Sequence, residues 1–102
     1  MCARYTMLAT AQAIADVFGV TAPADLRPRY NLAPTDSVPG IVLDKHGERL
    51  LWEFRWGLIP FWAKDKRVGV RMINARSETV ATKSAFRDPF RHARMLVIAD
   101  GF

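Results

Sequence analysis

Cysteine occurs once in the 102 residues, at position 2. Methionine aminopeptidases remove an initiator methionine when the next residue is small, and cysteine qualifies. Loss of Met1 would place an α-amine and a thiol on one residue, and both hold a nucleophilic fraction near neutral pH. Such a 1,2-aminothiol captures aldehydes. The amine condenses to an imine with loss of water, and the thiol then adds across the C=N bond to close a five-membered thiazolidine. A lone cysteine is otherwise an inert buried thiol, and its position alone leaves that alternative open. One cysteine excludes an intramolecular disulfide and any multi-cysteine zinc site. The expected setting is reducing and cytoplasmic.

Other chemistries lack their residues. There is no glycine-rich phosphate loop ending in Lys-Ser/Thr, no paired-histidine metal motif and no Gly-x-Ser-x-Gly elbow. His46 falls in a predicted hairpin turn and His92 in a basic stretch, so both read as surface residues. No metal or organic cofactor is expected. No apolar run approaches the ~18 residues of a membrane span, and the N-terminus lacks the apolar core of a secretory signal.

Charge is localised. Residues 1–63 carry six basic and six acidic side chains, whereas residues 64–94 carry nine basic and three acidic ones; Asp100 completes the formal net charge of +5. Eleven of the fifteen basic residues are arginine, whose planar fork suits bidentate phosphate contacts. The stretch is either a solvated basic face or a polyanion-binding surface, with nucleic acid the leading polyanion.

The length fits one domain or part of one. Thr10 caps a helix over 11–18 with Ile14, Val17 and Phe18 on one face, and Gly19 stops it. Residues 20–30 read as loop and 31–35 as an ordered turn around Pro34. Residues 41–43 form a short strand and 45–48 a hairpin turn. Leu50, Trp52, Phe54, Trp56 and Leu58 then alternate with Leu51, Glu53, Arg55 and Gly57. This predicts a nine-residue strand ended by Pro60, with Trp52 and Trp56 on a core-facing side. Residues 61–66 read as loop, 68–73 as strand and 77–84 as helical. Asp88-Pro89 should break any helix through Phe86, and 95–99 reads as a buried strand. Composition and pattern support a mixed, strand-rich fold.

Four segments in order resemble the SRAP family (SOS-response-associated peptidase), the abasic-site processing proteins: Met1 to Tyr5, Tyr30 to Thr35, Trp56 to Trp62, and Asn74 to Thr79. A fifth, Ala99 to Phe102, looks like the start of the segment that carries the family's glutamate. One such motif is weak; five in order are specific. The resemblance is to the N-terminal half of the family domain, so residues 1–102 read as a single SRAP-like domain, truncated at its C-terminal side. The family's catalytic glutamate would fall just beyond Phe102, and its histidine farther on. Ala3 stands where the family usually has glycine, and Ile98 where it often has proline.

The resemblance implies an α+β fold, a mixed, curved or barrel-like sheet with flanking helices. It implies binding of single-stranded DNA and covalent capture of the abasic-site aldehyde by Cys2 as a thiazolidine crosslink. Peptidase activity, as self-cleavage that exposes Cys2 or releases the adduct, goes with the family name. Cys2 and Asn74 match its catalytic positions. Arg4 and Arg76 match phosphate-holding arginines, Trp62 a base-stacking aromatic, Pro34 a residue packing against the unpaired nucleotide, and Asn31 a supporting side chain. For Asn74 a turn-forming role, and for Arg76 an ion pair with Glu78, stand as the structural alternatives. The competing functions are a noncatalytic single-stranded-DNA module and a thiol-dependent peptidase. Exposed sheet edges and apolar surface predict self-association.

Overall fold

A computed structural model describes residues 2–102. Strand β1 (Tyr5–Met7) pairs antiparallel with β2 (Arg29–Leu32), with Tyr5 opposite Leu32, Met7 opposite Arg29 and an irregular register between them. Strand β3 (Ser37–Leu43) is the centre of a second sheet, flanked by β4 (Arg49–Arg55) and β5 (Leu96–Val97), both antiparallel to it. Helix α1 (Ala11–Phe18) follows β1, and helix α2 (Arg87–His92) precedes β5. The fold is α+β. Both sheets are open, with no closed barrel among the described residues. No helix there is long and apolar enough to cross a membrane.

Helix α1 forms where local chemistry dictates it. Thr10 Oγ1 accepts from Ala13 N at 3.1 Å, and Gly19 closes the helix at φ 64° with its N–H on Ala15 O at 2.9 Å. Ile14 is fully buried, but Val17, expected on the same face, is 72% exposed. The core gathers Met7, Leu32, Ile14, Ile41 and Leu51 between α1 and the sheets. In the β3–β4 turn, Asp44 Oδ1 accepts from His46 N and Glu48 N, and Gly47 takes φ 80°.

The long strand turns the other way. Leu51 is its buried residue, opposite Ile41, whereas Trp52 is 63% exposed. Paired residues of antiparallel strands share a face, so Trp52 lies with Gly40 and Phe54 with Val38, on the side away from Leu51. Alternation fixes which residues share a face but not which face meets the core. Here β1, β2 and α1 supply the core against Leu51. Trp56, beyond the strand, does pack against the core.

Five further expectations are corrected. Residues 29–32 are a strand rather than loop and turn. Only Leu32 of the four is buried, so they show no alternation, and backbone pairing to β1 defines them. Residues 66–71 form a 3₁₀ helix rather than a strand, because Asp65 accepts from Arg67 N and caps it. Residues 77–86 are successive turns, and α2 then runs through Asp88-Pro89. Pro89 lies in its first turn, where a helix has no use for the missing N–H. In the last strand Leu96 and Val97 are exposed; Ile98 alone is buried.

Candidate functional site

An apolar cleft of ≈ 740 Å³ opens on the Phe54 side of the β3–β5 sheet. Val38, Phe54, Trp56 and Val97 line it together with Met72, Asn74 and Pro89, and Cys2 is among the lining residues. Gly40 makes room for two of its lining side chains. A Cβ there would stand 2.7 Å from Met95 Sδ and 3.2 Å from the Phe54 ring.

The Trp-Gly-Leu sequence after β4 holds the segment that carries Asn74. Trp56 Nε1 donates to Ile73 O at 3.0 Å, and Leu58 N donates to Met72 O at 2.9 Å. Between them Gly57 takes φ 131° and lies against Gly69, where a Cβ would meet Gly69 O at 2.5 Å. No side chain fits this approach. The motif therefore acts as a bracket, fixing residues 72–74 against the end of the sheet. The Trp56 ring in turn packs on Tyr5 at 5.6 Å between centroids, tilted by 51°. Burial pushes the Tyr5 hydroxyl above its ordinary value, against a lowering by Arg29. That hydroxyl has no hydrogen-bond partner among the described residues.

Asn74 reaches across 72 positions of sequence to the N-terminus. Its Nδ2 donates to Cys2 O at 2.9 Å. The Cys2 thiol is exposed and lies 3.5 Å from Arg4 O, onto which it donates. Arg4 donates to Asn31 Oδ1 at 3.3 Å, so β2 supports the same cluster. Cys2, Arg4, Asn31 and Asn74 are thus brought together. Met1, whose removal the aminothiol chemistry requires, lies outside the described residues.

The other candidates stand apart from this hydrogen-bonded group. Pro34 is half-buried in the β2–β3 connection, beside Thr35 at φ 77°. Trp62 is 48% exposed and its neighbour Phe61 84% exposed, on the loop after Pro60. Arg76 is exposed just past Asn74. The ion pairs among the described residues are Arg29–Asp36, Arg67–Asp65 and Arg87–Asp88, so the alternative pairing of Arg76 with Glu78 is absent there. Sequence reasoning missed the bracket formed by Trp56 and Gly57 and the hydrogen bonds of Asp100 to β1. The glycine beside a tryptophan was the available signal for the first; the second joins residues 91 to 94 apart, beyond any local pattern.

Comparisons with known proteins match the chain along its whole length. It is 41% identical over 105 residues to the abasic site processing protein YoaM of Bacillus subtilis, covering all of this chain and 46% of that protein. It is 37% identical over 87 residues to the abasic site processing protein HMCES of Gallus gallus, covering 74% of this chain and 26% of that one. The chain thus spans about half the length, or less, of these relatives. A solved protein of Bacteroides thetaiotaomicron superposes with a TM-score of 0.75 at 26% identity, over 94% of this chain and 45% of that chain. One of Bordetella bronchiseptica superposes with a TM-score of 0.76 at 24% identity, over 97% and 48%. The family model for SOS response associated peptidase (SRAP) matches residues 1–102, and with the fold shared as well, the chain belongs to the SRAP family.

Proposed function

We propose that the chain takes part in abasic-site processing by capturing the ring-opened sugar of an abasic site in single-stranded DNA at Cys2. The observation that carries the reading is the hydrogen bond from Asn74 to Cys2 O, which ties the residue with the exposed thiol to a second residue that lines the cleft. Once Met1 is removed, the Cys2 amine attacks the C1′ aldehyde and water leaves to give the imine. The thiol then adds across C=N: the S–C bond forms and the thiol proton passes to nitrogen. Asn74 spends one Nδ2 proton on Cys2 O. Its second proton is available for a sugar oxygen, and its Oδ1 can accept from the amine.

Arg4 and Arg76 would hold phosphates on either side, Trp62 would stack on a base, and Pro34 and Asn31 would border the nucleotide. Such a protein works where DNA is and where its thiol stays reduced, in the cytoplasm and, in a bacterium, at the nucleoid. The resemblance's peptidase activity would be self-cleavage at Cys2. Intact-mass measurement with an abasic oligonucleotide tests the reading. The chain starting at Cys2 should gain the oligonucleotide mass less one water and keep it in high salt. Cys2→Ser should give only an imine that needs borohydride trapping, and retained Met1 should abolish the stable adduct. A stable adduct on chain with Met1 verified in place refutes the aminothiol route. Purely salt-reversible binding would mark a noncatalytic DNA-binding module instead.

A further inference from the structure

Strand β1 is three residues long and irregular in register, and a chain terminus frays unless something ties it down. Pairing with β2 secures one edge. The other edge meets residues 100–101: Asp100 N donates to Thr6 O at 3.0 Å, and Thr6 N donates to Gly101 O at 2.7 Å. The Asp100 carboxylate accepts three more hydrogen bonds. Its Oδ2 accepts from Leu8 N at 2.6 Å and Ala9 N at 2.9 Å, and its Oδ1 accepts from Thr6 Oγ1 at 3.0 Å. One side chain thus satisfies two consecutive backbone N–H groups and a hydroxyl just where β1 gives way to the Thr10 cap of α1.

We propose that Asp100 is a positioning residue for Cys2, clamping β1 from the edge opposite β2 so that the N-terminus stays over the cleft. Cys2 lies four residues before Thr6, and Asn74 is its only other anchor among the described hydrogen bonds apart from the bond of its thiol to Arg4 O. With the clamp closed, the Asn74 bond has only Cys2 to Tyr5 left to order. A carboxylate suits the place better than an amide, since hydrogen bonds from N–H and O–H to a charged acceptor are the stronger kind. Solvent withdrawal alone would raise the Asp100 carboxyl. The Leu8 N–H, the Thr6 hydroxyl and the Ala9 N–H outweigh it and hold the group below its ordinary value.

The catalytic consequence rests on the capture reading above; the clamp itself does not, and the test separates them. The chain beginning at Cys2 is compared with Asp100→Ala, Asp100→Asn and, as a destabilised control in the core, Leu51→Val. Capture of an abasic oligonucleotide is followed at equal intervals below each melting midpoint. Misplacement of reacting groups by about 1 Å can cost ~10²-fold, so Asp100→Ala should capture at least about tenfold more slowly than Leu51→Val. Asp100→Asn should fall between. Condensation with a small free aldehyde, which needs no cleft, should be unchanged in all. The Asn74 side-chain amide resonances supply a readout independent of DNA: they should move toward free-amide positions in Asp100→Ala and stay put in Leu51→Val. Capture by Asp100→Ala at the control rate overturns the proposal. If the unmodified chain forms no adduct, the capture reading fails, and an unmoved Asn74 resonance in Asp100→Ala then overturns the clamp as well.

Discussion

Replacing Gly57 with alanine should damage both the fold and the site, and Gly47→Ala provides the measure of how much. Both glycines take positive φ, 131° and 80° respectively, so each substitution carries backbone strain of about 1–3 kcal/mol. They differ in what the new methyl meets. At Gly47 nothing lies within 4 Å, whereas at Gly57 the Cβ would stand 2.5 Å from Gly69 O and 3.1 Å from Gly69 C. Those are backbone atoms of the 3₁₀ helix 66–71 and cannot swing aside as a side-chain tip can. Overpacking of this kind typically costs a further ~1–3 kcal/mol. At about 4–8 °C per kcal/mol for a domain of this size, Gly57→Ala should melt at least about 4 °C below Gly47→Ala. Relief must come from moving the 3₁₀ helix, which strains the Trp56 and Leu58 bonds to Ile73 and Met72 and carries Asn74 away from Cys2. Capture of abasic DNA should therefore fall more than tenfold in Gly57→Ala and stay within about twofold in Gly47→Ala. Calorimetry and single-turnover crosslinking read the two effects. Equal melting midpoints with equal capture rates would refute the bracket.

Three other outcomes follow from the same geometry. Initial DNA association should weaken with salt while the finished adduct does not, and Arg76→Ala should reduce the log–log salt slope by roughly 0.7 for each phosphate left without its cation, read by titration at several ionic strengths. Urea unfolding should separate neighbours on β4: Leu51→Ala loses about 2–5 kcal/mol, whereas Trp52→Ala, largely exposed, loses under ~1 kcal/mol. Asp100 has a folded-state pKa below its ordinary 3.8, so its stabilisation is present above the unfolded value and lost as pH falls through the folded one. As pH falls below about 4, the melting midpoint should drop more for the unmodified chain than for Asp100→Asn.

What the sequence made legible was decided by the range of the forces involved. Helix α1 was readable to the residue because Thr10 and Gly19 act within one turn of the backbone they cap. The Asp44–Glu48 turn was readable for the same reason. Strand β2 and the side of β4 that faces the core were not, since both depend on partners distant in sequence: β1 for the first, and the α1-backed core for the second. Pro89 misled through an incomplete rule. It interrupts helix interiors, but at the third residue of α2 it interrupts nothing. At the site, chemistry made Cys2 a candidate and left an inert thiol open until the motif resemblance favoured the nucleophile, and Asn74 became a candidate only through that resemblance. The 72-residue reach of its hydrogen bond has no local signature.

The uneven charge gains meaning once the cleft is placed. Its lining draws on residues 38–59, within the electrically balanced part of the chain, and on residues 72–93, within the stretch with six more basic than acidic residues. The lining itself is apolar, with Arg55 its one cationic side chain, and the exposed Arg76, Arg87 and Arg91 flank Asn74 and Pro89 in sequence without lining the cleft. On the proposed reading these arginines and the lining divide the labour. The arginines draw in phosphates over the range of a Debye length, about 8–10 Å at moderate salt, while the apolar lining accepts a sugar that has lost its base. Cys2 and Asn74 are both lining residues, so on this reading the aldehyde reaches the thiol when the backbone is seated along the arginines. Capture should then favour an aldehyde embedded in a strand over the same aldehyde on a free sugar, and added salt should narrow that preference by weakening the seating. A preference unchanged between low and high salt would refute this division of labour, because it would leave the arginines with no part in presenting the aldehyde to Cys2.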